Sequence, residues 1–156
     1  MCAERKRPII QLKVILSGIE PEIWRRIQVS SDITLDRLHR VIQVVMGWHG
    51  DHLHQFVVGE RYYGIPPAND SFLGPPMKDE RGARLRQMIS NEGDQFVYEY
   101  DFGDSWEHSL EVEKIVPVEE AEETPICLDG ERACPPEDCG GRCEPQQARH
   151  SHRAAR

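Results

Sequence analysis

Three cysteines near the C-terminal end of the chain have the residue type and the spacing to bind a metal ion. Cys127, Cys134 and Cys139 follow the pattern C-x6-C-x4-C in a segment rich in glycine and proline. Zinc in proteins commonly has four cysteine or histidine ligands arranged as a tetrahedron, and His54 or His108 could supply the fourth. Because the C-x2-C pairs typical of zinc sites are absent, small thiols packed in a loop are the more common explanation of this pattern.

Histidines and carboxylates form a second group that could do chemistry. His52 and His54 are two residues apart in a strand-like segment, which places both side chains on one face. Asp104 and His108 flank a tight turn, and a carboxylate near an imidazole is the combination that general acid–base catalysis uses. These four residues predict, as one alternative, a metal- or His/Asp-dependent hydrolase. The other alternative is structural, because Phe56 on the same face indicates partly buried, hydrogen-bonded histidines.

Polar and aromatic residues from separate parts of the chain are expected to meet in one pocket. The expected lining residues are Trp24, Arg26, His52, His54, Tyr100, Asp104, Trp106 and His108. They come from three motifs, which read IWRR at 23–26, GWHGDHLHQF at 47–56 and YEYDFGDSWEH at 98–108. A fourth motif, CLDGERACPPEDCGG at 127–141, holds the three cysteines.

In this order the four motifs resemble the plasmid pRiA4b ORF-3-like family, which includes proteins labelled as passengers of mobile elements. The resemblance extends from about Ile10 to Gly141 and implies a domain with no established activity. Family members continue after the Cys-Gly-Gly with an aromatic, helix-like segment, whereas this chain continues with a basic tail. We therefore expect one domain over residues 1–141 and a divergent, disordered tail over 142–156, which suggests a truncated or frame-shifted end.

The elements that would position these residues can be read from the periodicity of the apolar side chains. Alternation predicts a strand over Ile9–Leu16 and a hairpin partner over Ile23–Val29. Leucine, isoleucine and valine at helical spacing then predict a helix from Leu35 to Val45, with Thr34 or Asp32 as a cap and Gly47 as the stop.

The second half of the chain repeats the pattern of hairpin and helix. A strand over His52–Val58 is followed by a segment, Glu60–Tyr63, that can pair with it, and by a long connection over Ile65–Pro76. A minor helix over Ala83–Ile89 precedes a hairpin formed by 96–102 and 106–116.

This order predicts an α+β fold. We expect a mostly antiparallel sheet of two or three hairpins packed on one main helix and a minor helix, with a start that is analogous to a ubiquitin-like grasp. Beyond Pro117 the periodicity is lost, and the cysteine segment is expected to be a loop.

Composition restricts the kinds of partner. The formal net charge of -8 makes a phosphate-backbone binder unlikely, so a nucleic-acid accessory protein is only a third hypothesis. Arg25-Arg26 is the one adjacent arginine pair, and two exposed strand arginines explain it better than a recombinase site.

No apolar run is long enough for a membrane helix, and no secretory signal is visible, so we expect a cytoplasmic location.

The first hypothesis is a non-catalytic binding or interaction module, with a protein as the candidate partner and a structural zinc ion in the cysteine loop as the candidate cofactor. Phosphate-loop, dinucleotide-binding, H-E-x-x-H and G-x-S-x-G motifs are absent from the sequence.

Overall fold

A computed structural model describes residues 7–68, 74–120 and 123–136. Within these residues eight strands form one sheet: β1 (Ile9–Leu16), β2 (Ile23–Ser30), β3 (His54–Val58), β4 (Arg61–Gly64), β5 (Met77–Asp79), β6 (Gln95–Tyr100), β7 (Trp106–Val116) and β8 (Ile126–Glu131). Two α-helices, α1 (Leu35–Met46) and α2 (Leu85–Met88), and two 3-10 turns, Glu80–Gly82 and Val118–Glu120, accompany them. The α+β prediction is confirmed.

The sheet order is β5-β4-β3-β6-β7-β1-β2-β8. All neighbours in it are antiparallel except β4 and β5, which are parallel. Each predicted hairpin forms. Because β1 pairs with β7, the β1-β2 hairpin joins the β6-β7 hairpin near the centre of the sheet. The suggested ubiquitin-like grasp is not confirmed by this order.

The core lies between α1 and one face of the sheet. Leu12 and Val14 of β1 are fully buried, as are Leu38 and Ile42 of α1. Burying a leucine or isoleucine side chain stabilises the fold by about 1.5–3 kcal/mol, so this shared apolar layer fixes where the helix lies.

Both ends of α1 are defined by local chemistry. Thr34 is the N-terminal cap residue, although its side chain makes no capping hydrogen bond. Gly47 ends the helix in the left-handed conformation, with a φ of 77° that favours glycine. Arg25 of β2 donates from Nε to the carbonyl oxygen of Val45 at 2.9 Å, which pairs one of the last helical carbonyls.

Two additional strands and the start of β3 are the differences from the sequence expectations that bear on the predicted site residues. β5 lies in the segment that follows the long proline-rich connection, and β8 contains Cys127, so the first part of the cysteine segment is a strand and not a loop. β3 begins at His54, so His52 lies in the preceding loop and shares no strand face with His54. No helix in the described part of the chain is long and apolar enough to cross a membrane.

Candidate functional site

A cleft of about 640 Å³ opens between α1 and the end of the sheet that carries β3. The helix contributes Asp36, His39, Arg40 and Gln43, whose i, i+3, i+4, i+7 spacing places them on one side of α1, next to its buried apolar stripe. The remaining lining residues are Val44, Trp48, His49, Gly50, His52, His54, Ile65, Glu80 and Arg81.

Two imidazole rings and a carboxylate form the inner wall of this cleft. The rings of His39 and His54 are stacked, with centroids 3.5 Å apart and an angle of 6° between their planes. His54 Nε2 lies 2.6 Å from Glu80 Oε2, and both side chains are only 5% exposed. Such a short contact between buried groups indicates a strong, charge-assisted hydrogen bond that fixes the orientation of His54.

A tyrosine hydroxyl connects the helix to the sheet beneath the rings. His39 Nδ1 lies 2.7 Å from the hydroxyl of Tyr98, and Gln43 Nε2 donates to the same oxygen at 2.8 Å. Burial, together with the neighbouring His54 and Arg40, lowers the pKa of His39 to about 3, so its ring is neutral at physiological pH. Burial also raises the pKa of Tyr98 above its usual value, which keeps the hydroxyl protonated.

Two side chains that line the cleft, Asp36 and Gln43, each have a buried oxygen with no hydrogen-bond partner among the described residues. Gln43 is 5% exposed, and its Oε1 makes no hydrogen bond to any described residue. A methyl group built on Gly50 would lie 3.9 Å from Gln43 Oε1 and 4.0 Å from His39 Nε2, so both atoms face the same small space beside this glycine. A buried acceptor with no donor costs about 1–3 kcal/mol, unless a water or a ligand supplies the donor.

Comparison with known proteins places this architecture in a family. The family model described as plasmid pRiA4b ORF-3-like protein matches residues 8–149. The chain belongs to this family.

Two relatives of this pRiA4b ORF-3-like protein cover most of its length. It is 40% identical to the uncharacterised protein y4hQ of Sinorhizobium fredii (strain NBRC 101917 / NGR234) over 134 residues, which is 85% of this chain and 67% of that protein. The crystal structure of MM3350, a protein of unknown function from Methanosarcina mazei Go1, matches with a TM-score of 0.76 and 35% identity. That match covers 96% of this chain and 82% of MM3350, so nearly all of this chain matches the fold of MM3350.

The eight pocket residues expected from the sequence do not all lie together in this pRiA4b ORF-3-like protein. His52 and His54 line the cleft. Trp24 and Arg26 lie on the sheet face opposite the core residues Ile23 and Ile27, because successive strand side chains point to opposite faces. There Arg26 Nε pairs with Glu113 Oε1 at 2.8 Å, and its guanidinium lies 5.0 Å above the Trp24 ring.

Three of the other expected residues form an aromatic layer behind the cleft. Trp48, which lines the cleft, is stacked on Tyr100 with ring centroids 5.3 Å apart, and it contacts Trp106 and His108. His108 is fully buried, and burial lowers its pKa to about 4. Asp104 is partly buried in the turn between β6 and β7 and does not line the cleft.

The two described cysteines of the predicted zinc site have different surroundings. Cys127 is exposed on β8, whereas Cys134 is partly buried, with Sγ 3.2 Å from Met46 Sδ. Within the described part of the chain no group of three or more His, Cys, Asp or Glu side chains is arranged to hold a metal ion. Cys139 lies outside the described residues, so the zinc site stays a prediction.

Sequence reasoning missed three residues of the inner wall, namely His39, Gln43 and Glu80. The signal for the first two was available: they continue the polar side of α1 with Asp36 and Arg40 directly beside the apolar stripe. Glu80 carries no such signal, because it lies in a one-turn 3-10 helix after β5. It comes close to His54 of β3 because β5, β4 and β3 are neighbours in the sheet, which the local sequence does not reveal.

Proposed function

We propose that this protein is a non-catalytic binding module that holds a small polar molecule in the cleft between α1 and β3. The observation that carries the proposal is Gln43, a side chain that lines the cleft and whose buried Oε1 has no hydrogen-bond partner among the described residues. Buried polar atoms in native proteins are nearly always hydrogen-bonded. An unpartnered acceptor on a side chain that lines a cleft is therefore expected where a bound ligand supplies the missing donor.

The chemistry around this acceptor supports the same function. Small-molecule sites use a few convergent polar groups to orient the ligand, and here His39, His54 and Glu80 converge on the cleft beside the aromatic Trp48. Most of the other lining residues are also polar or charged, which suits a polar ligand. At the rim, Val44 is 79% exposed and Ile65 is 60% exposed. Large apolar side chains left in solvent beside a polar site provide a surface for the apolar part of a ligand.

A fragment screen by nuclear magnetic resonance tests the proposal. The full chain, labelled with ¹⁵N, is titrated with a library of small polar fragments that includes amides, acids, amines and alcohols. Binding in the cleft should shift the signals of the Gln43 side-chain amide, the His39 ring and the Gly50 backbone amide, while signals from the outer face around Trp24 stay unchanged.

Two glycine variants locate the binding. Gly50 and Gly47 both have a φ of 77°, so alanine introduces similar backbone strain at either position. A methyl group at Gly50 would occupy the space beside Gln43 and His39, whereas one at Gly47 meets nothing within 4 Å. Binding should be lost in Gly50→Ala and kept in Gly47→Ala. If no fragment of any class shifts the cleft signals, the proposal is wrong.

A second candidate, acid–base hydrolysis, is favoured by the short contact between His54 and Glu80. A carboxylate that orients an imidazole is a common arrangement in hydrolytic sites. The binding module should hydrolyse p-nitrophenyl acetate no faster than free imidazole does. A saturable hydrolysis that Glu80→Gln abolishes would favour the enzyme instead.

The structural zinc is a separate proposal. Its support is the pattern of Cys127, Cys134 and Cys139, and its test is elemental analysis of protein purified without a chelator or a histidine tag. About one zinc ion per chain, lost in Cys134→Ser, would establish the site; absence of metal in the wild-type chain would remove it.

A further inference from the structure

We propose that the ligand of this cleft carries an amide edge, that is, a hydrogen-bond donor and an acceptor side by side, which pair with Gln43 and His39. The inference rests on the proposed binding function and specifies the chemical class of the ligand. It follows from the way in which Tyr98 connects the two side chains.

The hydroxyl of Tyr98 has one hydrogen to donate, and its only partners among the described residues are His39 Nδ1 and the Gln43 amide. Suppose that Tyr98 donates to His39 Nδ1 and accepts from Gln43 Nε2. A neutral His39 then carries its proton on Nε2, so the cleft meets a donor on His39 and the acceptor Oε1 on Gln43.

The alternative arrangement reverses both roles. If the Gln43 amide is turned over, its oxygen accepts from Tyr98 and its NH₂ group faces the cleft. His39 then donates from Nδ1 to Tyr98, so its Nε2 is left as an acceptor. In both arrangements the two side chains present one donor and one acceptor, because the single hydroxyl hydrogen of Tyr98 must go to one of them.

Only a ligand group with the complementary pair satisfies both side chains. A carboxylate offers acceptors alone and would oppose whichever protein atom is the acceptor. The charges of the cleft do not change this, because Arg40 and Arg81 line it together with Asp36 and Glu80. An ammonium group offers donors alone. A primary carboxamide or the edge of a ring lactam offers one donor and one acceptor close together, and Gln43 Oε1 and His39 Nε2 both lie within 4.0 Å of the same point beside Gly50.

A set of related aromatic and lactam probes tests the inference with the ¹⁵N-labelled full chain. Benzamide presents the amide edge, N,N-dimethylbenzamide retains only its acceptor, and benzoate presents two acceptors. The second arm compares 2-pyridone, a ring lactam, with N-methyl-2-pyridone. We expect each amide probe to bind at least about tenfold more tightly than its methylated partner and benzamide to bind more tightly than benzoate, since the methylated probes leave one cleft atom unpaired.

Two variants separate recognition from folding. Gln43→Met removes the amide at nearly constant size and should abolish the preference for benzamide over N,N-dimethylbenzamide. Gly50→Ala should weaken the binding of both amide probes, while Gly47→Ala, with similar backbone strain, should bind them like the wild-type chain.

The outcomes distinguish this inference from the proposed function. Equal affinity for benzamide and its dimethyl analogue in the wild-type chain would overturn amide recognition and leave the binding function standing. Binding of neither amide probe, while other fragments shift the cleft signals, would also overturn it. Stronger binding of benzamide supports a carboxamide ligand, and stronger binding of 2-pyridone supports a lactam such as a nucleobase edge.

Discussion

His108 is a titratable side chain placed in the apolar core. It is 0% exposed, its Nδ1 lies 3.2 Å from the carbonyl oxygen of Tyr98, and its Nε2 has no hydrogen-bond partner among the described residues. A charged imidazole there would lose its hydration without gaining a counter-charge, and this desolvation lowers its pKa from 6.5 to about 4. The native chain therefore holds His108 neutral over a pH range in which the unfolded chain protonates it.

The sign of the pH dependence follows from this difference. Between about pH 6.5 and pH 4 the unfolded chain binds more protons, so the free energy of unfolding falls as the pH falls. From pH 7 to pH 5 we expect His108 to account for a loss of about 2 kcal/mol. Urea unfolding of the wild-type chain and of His108→Gln at both pH values should show the smaller loss in the variant.

A core variant without a titrating group controls for lower stability. Leu110→Ala, on the same strand and also fully buried, should unfold more easily at both pH values and retain the wild-type pH dependence. Equal losses in His108→Gln and the wild-type chain would contradict the buried, neutral state of this ring.

The sequence alone identified only some of the residues of the site. His54 was a candidate because of its strand position, but His39 and Gln43 look like solvent-facing residues of an amphipathic helix. Their burial depends on how α1 packs against β3 and β6, which bring His54 and Tyr98 beneath them. That packing is set by strand pairing far along the chain, and a local pattern does not contain it.

Among the elements, those with one buried and one exposed face were predictable. β1, β2, β6 and β7 alternate because α1 covers one face of the sheet, and α1 repeats its apolar residues for the same reason. β8 was missed because most of its side chains are exposed, so that no alternation marks it. It is defined by backbone pairing with β2, about 100 residues earlier, and a three-residue strand such as β5 leaves equally little pattern.

The position of β8 at the edge of the sheet predicts unequal reactivity of two cysteines. Cys127 is exposed on this strand, whereas Cys134 is packed against Met46, and burial raises the pKa of the Cys134 thiol. Because alkylation requires an accessible thiolate, we expect Cys127 to react with iodoacetamide at least about tenfold faster. A labelling pulse followed by mass spectrometry of the peptides measures both rates in the wild-type chain.

Unfolding and metal removal provide the controls for this comparison. In concentrated guanidinium the two thiols should react at similar rates, since the difference arises from the fold. The pulse is applied to protein treated with a chelator, because a zinc ion bound to Cys127 would protect it. Similar rates in the native, metal-free chain would argue against the edge position of Cys127.

For the molecule as a whole, charge decides which large partners it can bind. The formal net charge is -8, and four of the ten arginines in the described part of the chain are paired with described carboxylates. Arg26 pairs with Glu113 and Asp129, Arg81 with Asp79, and both Arg84 and Arg86 with Asp32. DNA binding draws its affinity from cations that replace condensed counterions, and paired arginines on an acidic protein supply few of them.

We therefore expect no binding of a fluorescently labelled DNA duplex, measured by fluorescence anisotropy. This should hold even at about 50 mM salt, because electrostatic binding is stronger at low salt. The double variant Glu113→Gln, Asp129→Asn tests the reason, because it releases Arg26 and changes the formal net charge from -8 to -6 while leaving the sheet face otherwise intact. It should also fail to bind, since one freed guanidinium does not offset six net negative charges. Binding by the wild-type chain that weakens steeply with added salt would contradict this expectation and would move the nucleic-acid hypothesis from third place to first.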